Sequence, residues 1–141
     1  MVAKFIRQAK NGETCEIYGD GNQSRDFIFI DDLINAIRKA ANPTALSPQP
    51  LALSPNMGGE IFQIATGKEH TVNEVKQIIK TQLKKNYAIS MQFKYGQPRA
   101  GDVKRNFSDT SKALERLGWR AEVELSEGLR KTIEWFLDKA S

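Results

Sequence analysis

The sequence contains one cysteine, one histidine and no long apolar run among its 141 residues. The lone Cys15 cannot form an intrachain disulfide, and Cys15 with His70 is too small a set for a zinc site made of cysteines and histidines. No stretch approaches the roughly 20 apolar residues that cross a bilayer. The beginning of the chain, MVAKFIRQAKNGE, lacks the apolar core of a secretion signal. We therefore expect a cytoplasmic protein with no membrane partner.

The formal net charge of +4 at pH 7 favours an anionic partner. The 21 basic residues are scattered among 17 acidic ones, and no basic block alternates with aromatic residues. This distribution disfavours binding to nucleic acid, which needs a continuous basic surface. A nucleotide diphosphate satisfies the same charge requirement, so the composition is compatible with a small anionic ligand.

Apolar residues at helical spacing predict five helices. The first contains Val2, Phe5, Ile6 and Ala9 and is expected to end at Gly12. The other four are expected to begin at capping residues, which are Asp31 or Asp32, Thr71 with Glu74 in a capping box, Asp109, and Ser126. The faces predicted to be buried are Leu33, Ile34, Ile37 and Ala41; Val72, Val75, Ile78, Ile79 and Leu83; Ala113, Leu114 and Leu117; and Leu129, Ile133, Phe136 and Leu137.

Four short runs rich in β-forming residues predict strands. CEIY and RDFIFI are separated by a segment with Asp20-Gly21, which predicts a β-hairpin. EIFQIA and ISMQFKY are the other two runs, and Trp119 and Trp135 are expected in the core. The Pro-rich segment 42–59 is predicted to be a surface loop. The pattern therefore indicates a single α/β domain over residues 1–141 with about five helices and four strands.

Two glycine-containing segments do not form nucleotide-binding loops. Gly19-Asp20-Gly21 lacks the third glycine of a dinucleotide fingerprint, and a strand is predicted after it where the fingerprint needs a helix. Gly67-Lys68 lacks the earlier glycine of a phosphate loop, and Glu69 stands where that loop has serine or threonine. The sequence thus predicts no phosphate-binding glycine loop.

Two clusters of arginine and aspartate are better candidates for a ligand site. Arg25-Asp26 begins an apolar run, and Arg99 and Asp102 lie in the turn PRAGD. Arginine binds phosphate through two parallel hydrogen bonds, and aspartate accepts hydrogen bonds from sugar hydroxyls. If the clusters converge they form a phosphate-sugar clamp. If they do not, Arg25-Asp26 is an ordinary solvated strand end, and the sequence leaves both interpretations open.

Three blocks of the sequence resemble the NAD-dependent epimerase/dehydratase family, the extended short-chain dehydrogenases. The blocks are IYGDGNQSRDFIFIDDLINAI, GGEIFQIATGKEHTVNEV and PRAGDVKRNFSDTSKALERLGW, in the family order and over nearly the whole chain. The resemblance implies the carboxy-terminal, substrate-binding portion of a Rossmann-type α/β fold. The GDV and TGKEHTVNEV stretches are most similar to UDP-sugar 4-epimerases, and a dTDP-glucose 4,6-dehydratase is the closest alternative.

The resemblance also implies roles for particular residues. Arg25 and Arg99 match arginines that bind the substrate diphosphate, and Asp102 matches an acceptor for the ribose. The strand Glu16, Ile17 and Tyr18 matches the edge that runs along the uracil, and Asn106 matches a variable substrate contact. Gln63 departs from the asparagine of many relatives, and we expect little effect on sugar binding.

The family's catalytic parts are missing from the sequence. No glycine-rich Rossmann half is present, and the residues four places after Tyr18, Tyr87 and Tyr95 are not lysine, so the Tyr-x-x-x-Lys pair is absent. We therefore expect a truncated, split or degenerate form of a longer enzyme, inactive alone, with NAD bound only in the parent enzyme. Segments around Ile28, Ile30 and Phe62 are expected to face the missing Rossmann half or a second copy in a homo-oligomer. The alternative is a non-catalytic scaffold that has lost the ligand.

Overall fold

The structure is a computed structural model that describes residues 1–41 and 59–138. The predicted loop at 42–59 lies, apart from Gly59, outside the described residues. The described residues form the five predicted helices and four short strands, of which β1 and β4 lie in predicted runs. The helices are α1 (Val2–Lys10), α2 (Ile30–Ala41), α3 (Val72–Tyr87), α4 (Ser111–Leu117) and α5 (Leu125–Asp138), and the strands are β1 (Cys15–Tyr18), β2 (Ser24–Arg25), β3 (His70–Thr71) and β4 (Phe93–Gly96).

The chain divides into two compact units. Unit 1 consists of Met1–Arg25, His70–Asn106 and Glu124–Ser141, and unit 2 consists of Asp26–Glu69 and Phe107–Val123. No helix in the described ranges has the length and apolar character needed to span a bilayer.

Unit 1 is built on two small sheets and three helices. Strand β1 pairs in parallel with β4, with Cys15 opposite Phe93 and Tyr18 opposite Gly96. Strand β2 pairs antiparallel with β3, with Arg25 opposite His70. The predicted helix faces are largely confirmed here, because the buried side chains include Phe5, Ile6, Val75, Ile79, Leu83, Leu129 and Ile133.

The capping box at the start of α3 is confirmed. The Thr71 hydroxyl accepts a hydrogen bond from the Glu74 amide at 3.1 Å, and the Glu74 carboxylate accepts one from the Thr71 amide at 2.7 Å. Each side chain satisfies a backbone donor that the first helical turn leaves free. Helix α5 begins at Leu125, one residue before the predicted cap Ser126.

The predicted hairpin around Asp20 and Gly21 is wrong. Strands β1 and β2 lie in different sheets, because β1 pairs with β4 and β2 pairs with β3. A turn does form at the predicted place, where Asp20 Oδ1 accepts a hydrogen bond from the Asn22 amide at 2.9 Å. The Asp-Gly signal reports the local reversal, whereas the strand partners lie far away in sequence and leave no local signal.

Unit 2 has a core of Ala36, Ala113, Leu117 and the fully buried Trp119, with Ile28, Phe62, Ile64 and Ala121 packed against it. The Trp119 indole nitrogen donates to the carbonyl oxygen of Asp32 at 3.0 Å. The Asp32 carboxylate, which is also buried, accepts from the Val123 amide at 3.0 Å. Helix α2 and the segment after α4 are thereby joined through one aspartate.

Several burial and strand predictions in unit 2 are wrong. Helix α2 begins at Ile30, so Asp31 and Asp32 lie in its first turn, and the face that packs inward carries Asp32 and Ala36. Ile34 and Ile37 are exposed, as is Leu114 on α4. The apolar runs after Arg25 and at 60–65 form no strand in the described residues. Thr110 precedes α4, where Asp109 accepts a hydrogen bond from the Ser111 amide.

Candidate functional site

A cleft of about 730 Å³ opens in unit 1 where the parallel strands β1 and β4 end. Open α/β sheets bind ligands beyond the carboxyl ends of their parallel strands, because the connecting loops diverge there. The lining consists of strand ends, the turn after β1 and the loop after β4: Tyr18, Gly19, Asp20, Asn22, Gln23, Tyr95, Pro98, Arg99, Asp102, Lys104 and Arg105.

Arg25 of the first arginine-aspartate cluster meets Asp102 of the second beside this cleft. Arg25 Nη2 lies 2.5 Å from Asp102 Oδ1, and each side chain is about one-third exposed. Arg25 Nη1 also donates to the carbonyl oxygens of Val103 at 2.6 Å and Ser24 at 2.7 Å. These bonds hold the guanidinium of Arg25 against the loop that carries Asp102. The structure thus places together two residues that are 77 positions apart in the chain.

The second arginine lies against an aromatic ring. The guanidinium carbon of Arg99 is 3.8 Å from the centre of the Tyr18 ring, a cation–π contact, and both residues line the cleft. Arg99 itself is exposed. An arginine that is stacked in this way keeps its N–H groups at the edge of the guanidinium plane, where they can bind an anion.

The cleft has lining residues that the sequence did not single out. Lys104 and Arg105 add positive charge on the loop after β4, and Tyr95 adds an aromatic ring. In the sequence, Lys104 and Arg105 directly follow the GDV motif, and this position could have indicated that they belong to the site. On the turn after β1, hydrogen bonds from the Asn22 amide and side chain hold the pKa of Asp20 below its ordinary value. The cleft therefore carries one acidic side chain on the turn and several cations on the loop.

The remaining predicted residues do not line the cleft. Ile17 is buried in the core of unit 1. The Glu16 carboxylate lies 3.3 Å from Lys94 Nζ and against Gly96, so it contacts β4. Asn106 is exposed at the end of the loop. Of the seven residues predicted, Tyr18, Arg99 and Asp102 line the cleft, and Arg25 adjoins it through Asp102.

Neither a metal site nor a dinucleotide loop is formed by the residues in view. Within residues 1–41 and 59–138, no three His, Cys, Asp or Glu side chains lie close enough to hold a metal ion. The turn at Gly19 and Gly21 leads to β2 rather than to a helix, so it presents no helix amino terminus to a pyrophosphate. This turn does not fit the NAD pyrophosphate.

Comparison with known proteins identifies the family. Residues 1–132 match the family model described as GDP-mannose 4,6 dehydratase. A UDP-glucose 4-epimerase of Mycolicibacterium smegmatis is 32% identical over 140 residues, which are 99% of this chain and 40% of that protein. The chain thus spans about two-fifths of the length of this relative.

Solved structures agree with this assignment. A UDP-glucose 4-epimerase of Thermotoga maritima with UDP-glucose superposes with a TM-score of 0.77 at 32% identity, over 99% of this chain and 40% of that one. MoeE5 in complex with UDP-glucose and NAD superposes with a TM-score of 0.80 at 31% identity, over 99% and 42%. The chain belongs to the NAD-dependent epimerase/dehydratase family and corresponds to the carboxy-terminal portion of its extended short-chain dehydrogenase fold.

Proposed function

We propose that this chain is the nucleotide-sugar-binding part of an NAD-dependent UDP-sugar 4-epimerase and that it binds the UDP diphosphate. The observation that carries the proposal is the cleft at the ends of β1 and β4, beside which Arg25, Arg99 and Asp102 converge. The presence of UDP-glucose in two similar structures supports the ligand class.

The diphosphate is assigned to the cationic side of the cleft. Arg99 and Lys104 line it, and Arg25 forms an ion pair with Asp102, which also lines it. Arginine and phosphate form charge-assisted hydrogen bonds that are roughly twice as strong as neutral ones. The Asp102 carboxylate bonds Arg25 through Oδ1, and its second oxygen provides an acceptor for a ribose hydroxyl. Asp102 is thus proposed both to orient Arg25 and to bind the ribose.

The base is assigned to strand β1. In this strand the amides of Cys15 and of Gly19, just beyond its end, donate to the carbonyls of Gln92 and Gly96. Main-chain groups alternate in direction along a strand, so those of Glu16 and Tyr18 point to the opposite edge. A uracil beside that edge would meet backbone donors and acceptors, and the buried Ile17 side chain would support the strand from below.

Epimerisation at C4 of the sugar requires NAD, which accepts and returns the hydride when bound. We assign NAD and the tyrosine-lysine pair to the additional length of the family members, since neither the loop nor the pair occurs in these 141 residues. The contribution of this chain is then binding energy that orients the sugar against a cofactor held elsewhere.

Titration of the purified chain with UDP by calorimetry tests the proposed ligand. We expect saturable binding in the wild type and a loss of about 10- to 100-fold in affinity in both Arg25→Ala and Arg99→Ala, because a hydrogen bond to a charged group contributes roughly 1.5–3 kcal/mol. Arg120→Ala, an exposed arginine of unit 2, is the matched control and should bind as the wild type does. An absence of heat in the wild type would favour the scaffold alternative.

The exposed face of α2 supports the proposal of a protein partner. Ile30, Ile34 and Ile37 are spaced along one side of the helix and are 55%, 46% and 59% exposed. Ile28 and Phe62, which were expected to face a partner, instead pack partly buried against the core of their own unit. We propose that a second copy, or the additional part of the longer family members, covers the three isoleucines.

Light scattering after size exclusion tests whether the isolated chain uses this face to self-associate. We expect the wild type to elute above the monomer mass and Ile34→Glu/Ile37→Glu to shift towards the monomer, because two buried charges disrupt an apolar contact. Arg38→Glu, on the same helix and exposed, is the control for charge alone. A wild-type chain that is monomeric at high concentration would contradict self-association.

A further inference from the structure

We propose that Asn73, Lys76 and Tyr95 form a positioning triad that holds the turn 19–23 against the end of β4 and thereby shapes the cleft for a nucleotide. The functional half of this inference rests on the proposed nucleotide site. The structural half, that the triad holds the turn, is independent of any ligand. All the residues involved belong to unit 1.

The three side chains form a closed set of hydrogen bonds. Lys76 Nζ donates to the Tyr95 hydroxyl at 2.8 Å and to Asn73 Oδ1 at 3.1 Å. The Tyr95 hydroxyl donates to the same Asn73 oxygen at 3.0 Å. An ammonium group can only donate and a hydroxyl has one proton, so the direction of each bond follows. Tyr95 accepts from Lys76 and donates its proton to Asn73.

Asn73 links the triad to the turn 19–23 through hydrogen bonds. Since its Oδ1 receives both donors, its Nδ2 faces the turn and donates to the Asp20 carbonyl at 2.9 Å and to Asn22 Oδ1 at 3.3 Å. Its main-chain amide donates to the Gly21 carbonyl at 3.0 Å. One asparagine therefore contacts three successive residues of the turn, two of which line the cleft.

The turn and the asparagine are in close contact at Gly21. This glycine is buried and has a φ of +76°, in the left-handed region, and a Cβ there would lie 2.5 Å from Asn73 Oδ1. No side chain fits between the turn and the triad. A shift of the Asn73 amide would therefore move the turn backbone as well.

Capping of α3 does not account for the triad. The first helical turn is already capped by the Thr71–Glu74 box, and the bonds of Asn73 and Lys76 lead away from the helix to the turn and to β4. Lys76 Nζ also lies 5.7 Å and 5.3 Å from the ring centres of Phe93 and Tyr95. Tyr95 lines the cleft while its hydroxyl proton is bound to Asn73, so it offers the cleft its ring.

Amide hydrogen exchange of the ligand-free chain tests the structural half. In Lys76→Met, which removes the donor and keeps the side-chain length, peptides covering 19–23 should exchange about tenfold faster, because the turn opens locally without the chain unfolding. Asn73→Asp, which replaces the Nδ2 donor by an oxygen, should act in the same way. Lys76→Arg should restore slow exchange, and Lys80→Met, an exposed lysine one helical turn along α3, should leave it unchanged. Unchanged exchange in both Lys76→Met and Asn73→Asp would overturn the triad.

Calorimetry with UDP tests the functional half. Lys76→Met and Tyr95→Phe, which keeps the ring and breaks the triad, should each lose about five- to tenfold in affinity, as expected for one interaction. A role in folding alone would lower the thermal unfolding midpoint and leave the UDP affinity of the folded chain unchanged. Rescue of affinity by Lys76→Arg separates positioning from stability.

The two proposals can fail separately. If the wild type binds UDP and Arg99→Ala does not, while the triad variants keep wild-type exchange and affinity, the triad is refuted and the nucleotide site stands. If the wild type gives no heat with UDP but exchange in the turn rises in Lys76→Met, the nucleotide site is refuted and the triad stands as a structural device.

Discussion

Replacement of Trp119 by alanine is expected to lower the free energy of unfolding by about 3–5 kcal/mol, the cost of emptying a large buried aromatic site. Trp119 is 1% exposed and is the largest member of the unit 2 core, where it packs with Ala36, Ala113 and Leu117. Its indole nitrogen also donates to the Asp32 carbonyl. Because small proteins are stable by only about 5–15 kcal/mol, this single change removes a large share of the total.

Urea denaturation followed by circular dichroism measures the effect, and two variants separate its causes. Trp119→Phe keeps a ring but loses the bond to Asp32, so it should cost less than alanine, about 1–3 kcal/mol. Trp135→Ala is the matched control, since Trp135 is 55% exposed and its removal should cost about 1 kcal/mol or less. Equal losses for Trp119→Ala and Trp135→Ala would contradict the assignment of the core.

The difference between the two tryptophans shows which features of the fold the sequence predicts. Local signals identified the five helices, and they located the capping box at Thr71. Each signal acts within a few residues, so a single segment contains it. Both tryptophans were expected in the core, and the three-dimensional packing buries Trp119 but leaves Trp135 exposed.

Strand pairing and the choice of buried helix face depend on distant residues. Strand β1 pairs with β4, about 78 positions away by the register of Cys15 with Phe93, so the hairpin signal at Asp20-Gly21 could not identify its partner. Helix α2 turns Asp32 inward because that carboxylate accepts the Val123 amide, 91 positions away. The apolar spacing of Ile34 and Ile37 therefore predicted the wrong face.

The candidate site was accessible from the sequence only in part. Arginine and aspartate chemistry selected Arg25, Arg99 and Asp102, and the family resemblance gave them roles, but their meeting depends on the path of the loop after β4. The same path brings Lys104 and Arg105 to the cleft. The hydrogen bond between Asn73 and Tyr95 joins residues 22 positions apart on a helix and a strand, and no sequence motif predicted this contact.

The purified 141-residue chain, supplied with NAD and UDP-galactose, is expected to form no UDP-glucose above the blank. Hydride transfer at C4 needs a tyrosine whose proton affinity is lowered by lysine. Lys76 does contact the Tyr95 hydroxyl at 2.8 Å, but the two are 19 positions apart and the hydroxyl proton is donated to Asn73. This contact is therefore assigned to positioning rather than to acid-base catalysis.

Coupled-enzyme detection of UDP-glucose measures turnover, with the Mycolicibacterium smegmatis relative as the positive control for the assay. Family members are expected to accelerate the reaction by many orders of magnitude, since enzymes typically reach about 10⁶-fold or more, so even weak activity would be visible. Turnover that depends on the chain, and that Tyr95→Phe abolishes, would refute the proposal that this chain binds the substrate but lacks the catalytic groups. Binding of UDP without turnover supports the proposal, because substrate binding then occurs in this chain without catalysis. If the chain shows neither UDP binding nor turnover, the result favours the non-catalytic scaffold alternative.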